Sequence, residues 1–498
     1  MLGRCQCLCL AALSAPALLV ASHNLVQNFS APPGPSRCPP VPPTSPLNAS
    51  AHPPGAPAWE RGHHQPRAFD VTIITEWDLV CERGPLPALA QTLFMAGVLL
   101  GAFIFGTLSD RVGRRWVLLS SLLIVGAGGT GAALAPDFTT YCVCRTLSGI
   151  GLAGFLINYI GLSLEWVPRG ARAGVVTWLS YCSTAGQLVL AGLAYSMRDW
   201  RHLQLAISVP FLAFLLSAWW VPESARWLLV QGRTKEALRN LQRVAHVNGR
   251  TAAGEGLSLE VLVQEGSYSS TGRSTGSWLG LFLSPALRRI SCCLMCVSFS
   301  TNLAYFGLSM DLGSFGLNVF LVQLCFGAVD LGAKAACALA LSRCGRRPVQ
   351  ALSLSVAGAC LLASTPLPAE MLMVRLALVV LGKGFLAAAS VCSYLYGGEL
   401  FPTVVRQTGT GLMTVVARLG GMVAPLVLVG GQYHSVLPPL VFGVTPVLAG
   451  AAACFLPEMW DVPLMDTIEQ VEERARRKGP EPVVEVVCVS HIIRSTRI

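Results

Sequence analysis

Long apolar runs alternate with short polar breaks along most of the chain. A bilayer core is crossed by about 20 apolar residues in a helix. Runs of that order lie at roughly 5–22, 87–109, 116–135, 141–164, 174–196, 203–222, 286–308, 316–341, 349–365, 371–396, 408–429 and 437–457. The pattern predicts an all-α polytopic membrane protein with twelve transmembrane helices. The polar breaks divide it into an N-terminal six-helix half, 1–222, with an outer loop at about 23–86; a central cytoplasmic loop, 223–285; a C-terminal six-helix half, 286–457; and a cytoplasmic tail, 458–498.

Composition agrees with the pattern. Hydrophobic residues make up 53% of the chain and charged residues 12%, half of the roughly 25% usual in soluble domains. With Met1 placed in the cytoplasm, the inner segments hold most of the Lys and Arg. These include Arg4, Arg111, Arg114, Arg115, Arg169, Arg172, Arg343, Arg346, Arg347 and Arg406. The outer segments hold Arg37, Arg61, Arg67, Arg83, Arg198 and Arg201. That bias orients the chain with both termini inside. The net charge of +10 suits an anionic inner leaflet, and no nucleic-acid partner is needed to explain it.

Three landmarks recur. "SDRVGRR" at Ser109–Arg115 returns as "SRCGRR" at Ser342–Arg347. "EWVPRGARA" from Glu165 returns as "ELFPTVVRQ" from Glu399. Pro222–Glu223 returns as Pro457–Glu458. The spacing between copies is nearly constant, about 232 to 235 residues, so the halves are a duplication. Paired halves of this kind build secondary transporters with a site near the midplane. Gly113 then supplies a tight turn. Asp110 and Glu165 offer carboxylates to the arginines, and such pairs would latch an inner gate that breaks as the halves rock. A plain topology signal is the alternative for the arginines alone.

The motifs "GTLSDRVGRR", "RTLSGIG", "VPESARWLL", "SRCGRRP" and "GELFPTVVRQTG" resemble those of the major facilitator superfamily, and within it the organic ion transporters of the solute carrier type. "ASHNLVQNFSA", "TEWDLVC", "FGAVDLGAK", "VLGKG" and "RLGGMVAPLV" are similar to the organic anion subgroup. The resemblance spans about Ser22 to Asp466 and implies the major facilitator fold.

Ionisable residues within the predicted helices are functional candidates by default. Asp330 and Lys334 lie in helix eight, Lys383 in helix ten and Arg418 in helix eleven. Asp330 and Lys334 are four apart on one face and able to neutralise each other. Arg418 has no carboxylate nearby in its own helix, and its guanidinium fork suits a carboxylate. The local sum is positive and favours anions. The resemblance implies anion recognition by Lys334 and Arg418, since cation-carrying relatives typically have an acidic residue at the latter position. It also implies that Tyr305 and Phe306 line the cavity, with Phe306 lacking a hydroxyl that relatives often have, and that Asn24 is a polar site residue. Aromatic walls suit flat organic substrates; ordinary helix packing is the competing reading for each ring. Asp110, Arg111, Arg114, Arg115, Glu165, Arg346, Arg347, Glu399 and Arg406 form the expected gate set.

The outer loop is Pro-rich. Asn28 and Asn48 open glycosylation sequons, and Cys38 and Cys81 are a disulfide candidate pair. The loop is shorter than in typical relatives, which also begin with a cytoplasmic amphipathic segment before helix one. A cleaved signal peptide would remove helix one and break the repeat, so residues 5–22 are expected to stay. "CLMC" at 293–296 lies within an apolar run, where metal chemistry is not expected. Thr234 is expected to cap an amphipathic helix ending near Gly249, with a stripe at Leu238, Leu241, Val244 and Ala245, packed under both halves. "EERARRKG" in the tail reads as a solvated basic run.

No P-loop, HExxH or serine-nucleophile elbow is present. The chain is expected to be neither enzyme nor ATPase and to need no cofactor or metal. The resemblance implies a plasma-membrane carrier that exchanges a small organic anion for a dicarboxylate or other counter-anion. The alternatives are an organic cation or zwitterion carrier and a non-transporting receptor-like or truncated family member. Oligomeric state is not encoded in any motif.

Overall fold

A computed structural model describes residues 3–32, 71–167, 171–249, 280–315, 318–402, 405–434, 436–459, 462, 465 and 467–476. Twelve long helices organise them. The first half contains α1 (Arg4–Leu25), α2 (Leu86–Val112), α3 (Arg114–Ala133), α4 (Phe138–Trp166), α5 (Arg172–Ser196) and α6 (Trp200–Trp220). The second contains α7 (Pro285–Met310), α8 (Val319–Cys344), α9 (Arg346–Ser364), α10 (Leu372–Leu400), α11 (Arg406–Gly430) and α12 (Leu437–Ala453). Among the described residues, nine helices are long and apolar enough to cross a membrane; α12, with 17 residues, is a shorter apolar helix.

Local chemistry sets the breaks. Gly113, at φ 111°, separates α2 from α3, and Gly345, at φ 84°, separates α8 from α9. Both values lie where an L side chain is strained. Asp137 caps α4 by accepting from the Thr140 N–H at 2.9 Å, Asn318 caps α8 by accepting from Phe320 at 3.0 Å, and Ser284 caps α7, with Pro285 following at its first position.

Packing repeats between the halves. The neighbours α1/α5, α2/α4, α3/α4 and α3/α6 are matched by α7/α11, α8/α10, α9/α10 and α9/α12. Helix association in lipid depends on close packing rather than on apolar burial. Accordingly α2 and α4 meet backbone to backbone: a Cβ at Gly97 would strike the Thr146 carbonyl, and one at Gly149 the Phe94 carbonyl. Two seams join the halves, α2 against α11 and α5 against α8. They are related to each other by the same duplication.

At the end opposite the Gly-Arg-Arg turns, α1 continues into a short helix, Gln27–Ser30. Phe29 stacks on Phe320 with ring centroids 5.8 Å apart, and Asn28 Nδ2 donates to the Ser309 carbonyl at 2.6 Å. Both contacts bridge the halves. Asn28 is buried and its amide nitrogen is committed, which corrects the expectation of a glycan there in this arrangement. Asn48 and Cys38 fall outside the described residues, as does most of the outer loop. Trp77 lies within 6 Å of Phe138, Tyr141 and Trp200, and this aromatic cluster covers that end of the first half.

Two short segments depart from expectation. The helix Thr234–Val247 has Arg233 at its cap position and no side-chain cap, so Thr234 does not play that part. It packs on the first half: Val244 joins Cys5 and Cys9, and Asn248 Oδ1 accepts from the Cys5 N–H at 2.8 Å. The tail forms a helix, Ile468–Arg476, that docks on the second half. Val471 is buried, and Glu472 accepts from Ser284 Oγ at 2.7 Å. This part of the expected solvated run is a packed element.

Candidate functional site

The charges of the second half meet neutral polar groups of the first. On α5, Ser180, Thr184 and Gln187 share one face at helical spacing. Asp330 Oδ2 accepts from Gln187 Nε2 across the seam at 3.1 Å and, within its own half, from Tyr305 Oη of α7 at 2.5 Å. Gln187 Nε2 also donates to Tyr305 Oη at 3.0 Å. Lys334 Nζ donates to Thr184 Oγ1 at 2.6 Å and to the Ser180 carbonyl at 3.4 Å. The i, i+4 pairing of Asp330 with Lys334 does not form: each turns to its own α5 partner. Asp330 is fully buried, and its second oxygen has no hydrogen-bond partner among the described residues.

Lys383 is fully buried. Its ammonium donates to Ser309 Oγ and lies 4.1 Å from the Tyr305 ring centroid and 4.8 Å from that of Phe326. Enclosed in this way, it braces Tyr305 from behind. Phe306 packs edge-on to Tyr305 at 5.7 Å and approaches Gly421 of α11. Arg418 is half-buried and has no hydrogen bond or ion pair among the described residues. Three cations and one carboxylate therefore leave the interior net positive. Asn24 sits apart from this group, its carbonyl accepting from Gln91 Nε2 at 3.0 Å.

A small cavity of about 90 Å³ lies between α7, α10 and α11. Ser298, Thr301, Asn302, Ser393, Thr410 and Thr414 line it together with Tyr394 and Met413, and Arg418 lies one helical turn beyond Thr414 on the same face of α11. Hydroxyls of this kind on otherwise apolar helices are the sequence signal for the cavity, and it is easily passed over.

The gate set is brought together only in part. Arg114 pairs with Glu165, and Arg346 with Glu399 through Nε at 2.9 Å and Nη2 at 3.0 Å. Each pair joins neighbouring helices of one half, so neither latches the halves together, contrary to the expectation. Asp110 and Arg111 are exposed, and Asp110 takes part through its carbonyl, which accepts from Trp227 Nε1 at 2.9 Å. Arg406 Nε donates to the Phe401 carbonyl at 3.1 Å. Arg115 lies over the Trp219 ring at 5.3 Å.

Two carboxylates that sequence reading treated only as landmarks hold both turns. Glu223 accepts from the backbone N–H groups of Arg114 and Arg115 at 3.1 Å. Glu458 accepts from those of Arg346 and Arg347 at 2.9 Å. They satisfy the first donors of α3 and α9, which have no side-chain cap of their own. Burial pushes the Glu223 carboxyl up from its ordinary value, while the N–H groups of Ser224, Arg115 and Arg114 act in the opposite direction. Arg347 enters through its main chain, with its side chain exposed.

Arg145, on α4, is a further charge within the apolar helices. It is fully buried in the first half, donates from Nη2 to the His23 carbonyl at 3.2 Å and Gln91 Oε1 at 3.3 Å, and lies over the Phe94 ring at 4.2 Å.

The profile of the sugar (and other) transporter family matches residues 86–460. Solute carrier family 22 member 6-B of Xenopus laevis is 41% identical over 514 residues, covering 95% of this chain and 93% of that protein. Organic anion transporter 3 of Homo sapiens is 42% identical over 519 residues, covering 97% and 94%. Among solved structures, an inward open conformation of the xylose transporter XylE from E. coli matches with a TM-score of 0.64 at 16% identity, covering 93% of this chain and 98% of that one. At that identity the likeness concerns the fold alone.

Proposed function

The chain belongs to solute carrier family 22, within the wider sugar (and other) transporter family, and from that membership we propose a secondary active transporter that carries organic anions across the plasma membrane by alternating access. All twelve long helices span the bilayer in this reading. The Gly-Arg-Arg turns and both termini then face the cytoplasm, the orientation that the distribution of Lys and Arg favours. Energy comes from exchange with a dicarboxylate or another counter-anion.

The observation that carries the choice of anions is Arg418, a half-buried guanidinium with no protein partner among the described residues, beside a hydroxyl-lined cavity. A buried charge without a partner costs several kcal/mol, and an incoming carboxylate supplies the partner in bidentate geometry. Lys334 adds a second donor, and Tyr305 and Phe306 pack against the substrate's ring. The intra-half pairs Arg114–Glu165 and Arg346–Glu399 keep each half rigid as it rocks.

The test is uptake of labelled hippurate, an aromatic carboxylate, into cells expressing the chain, with and without internal dicarboxylate. Saturable uptake that rises with the preload is expected. Arg418→Gln is expected to lower uptake about a hundredfold, the scale of a lost charge-assisted bidentate contact, with surface expression unchanged. Equal loss of uptake and expression removes Arg418 from the site.

A further inference from the structure

The α5/α8 seam is a ladder in which successive contacts run antiparallel. It begins at the end away from the arginine turns, where Tyr195 meets Phe320 edge-on at 5.6 Å. Next, Leu188 fills the space beside Gly327, where a Cβ would lie 2.6 Å from its Cδ2. Gln187 on Asp330 and Thr184 on Lys334 follow, at 3.1 and 2.6 Å. The ladder runs from the apolar outer end to the charges at mid-bundle, and its last rungs use the site's own ionisable groups. Alternating access requires this seam to part when the outer path opens.

Lys334 has three donors. Two of them go to Thr184 Oγ1 and the Ser180 carbonyl, and both acceptors are neutral. A carboxylate accepts from an ammonium roughly twice as strongly as a neutral oxygen does. Thr184 is thus a weaker partner that a substrate anion can replace.

We infer that Thr184 and Gln187 hold the outer path closed, and that an organic anion reaching Lys334 takes the ammonium from Thr184 and loosens the lowest rung of the seam. Thr184 and Gln187 are positioning residues in this scheme, coupling occupancy of the site to the arrangement of the halves. The inference rests on the reading of Lys334 as an anion contact, and its test separates the two.

Leu188→Cys places a thiol in the seam of the full chain. Its rate of reaction with a membrane-impermeant maleimide, applied outside intact cells and corrected for the chain without that substitution, reports opening. Thr184→Val preserves volume and removes the acceptor. Losing a hydrogen bond to a charged group shifts the balance by about tenfold or more, so labelling is expected to accelerate about tenfold. Thr184→Ser restores the hydroxyl and should label at the parent rate. A rate within about twofold of the parent in Thr184→Val, with normal surface expression, overturns the role of Thr184 in closing the path. The same variant should lower the KM for hippurate severalfold, because Lys334 is no longer shared. A raised KM overturns the exchange of Lys334 between Thr184 and the anion. If the parent takes up no hippurate, the anion reading fails, and the labelling comparison still decides the seam.

Discussion

Replacing Glu458 should release the start of α9. Its Oε1 accepts from Arg346 N at 2.9 Å and Met459 N at 2.8 Å, and its Oε2 accepts from Arg347 N at 2.9 Å. Gly345, at the cap position, has no side chain to take over. A hydrogen bond to an ionised group contributes about 1.5–3 kcal/mol, and a carboxylate at a helix N-terminus adds about 0.3–1 kcal/mol. The site is partly open, so water recovers some of this loss. Glu458→Ala should then cost about 2–4 kcal/mol. Glu458→Gln keeps one acceptor and turns an NH₂ toward a donor, so it should cost about half as much. For a chain segment of this size, each kcal/mol lowers the melting midpoint by about 2–4 °C. Tryptophan-fluorescence melts in detergent, with hydrogen exchange of the peptide spanning 346–353, measure both effects. The expected order is wild type, then Gln, then Ala, with faster exchange confined to the first turn of α9. A Glu458→Ala midpoint within about 1 °C of wild type, or exchange unchanged in that turn, would refute the cap.

Two further outcomes follow from the same contacts. Tyr305→Phe leaves Asp330 Oδ2 with Gln187 alone and should cost about 1–3 kcal/mol, read as a lower melting midpoint; an unchanged midpoint counts against the bond. Glu76 is also buried enough to raise its carboxyl, but hydrogen bonds from Arg201 and Trp200 outweigh burial and hold it below the ordinary value. Its contribution is therefore present above the unfolded-state pKa and lost as pH falls through the lower folded value. Hydrogen exchange of residues 73–79 should accelerate only as external pH drops below the usual carboxylate range. Acceleration that begins near neutral pH contradicts the assignment.

Much of this architecture is written in the chain because a bilayer forces apolar length and arginine bias into plain view. Partners were less legible. Spacing placed Asp330 and Lys334 on one face, but spacing does not say what that face meets. Gln187 and Thr184 won their bonds because α5 lies against α8, and Tyr305 reaches Asp330 from α7. Glu223 and Glu458 were visible as a repeated Pro-Glu, yet their task depends on a turn more than a hundred residues away. Ser180, Thr184 and Gln187 left a faint signal, a polar stripe at helical spacing on an apolar helix.

The duplication itself sorts the charges. The Gly-Arg-Arg turns, Glu165 with Glu399, and Glu223 with Glu458 occur in both halves and make equivalent contacts within each. Charges preserved in both copies answer a demand that both copies share, which is holding six helices together. The midplane charges break the symmetry. At the repeat offset, Asp330 and Lys334 correspond to about Val98 and Ala102, Lys383 to about Gly149, and Arg418 to about Thr184. A demand met by only one half concerns what lies between the halves. Thr184 is where that asymmetry is sharpest: the first half offers a neutral hydroxyl at about the position where the second offers a guanidinium. Each reaches the midplane from the corresponding helix, α5 or α11. A substrate anion there meets cations on one side and, on the other, neutral groups of α5, among which Thr184 competes with it for Lys334.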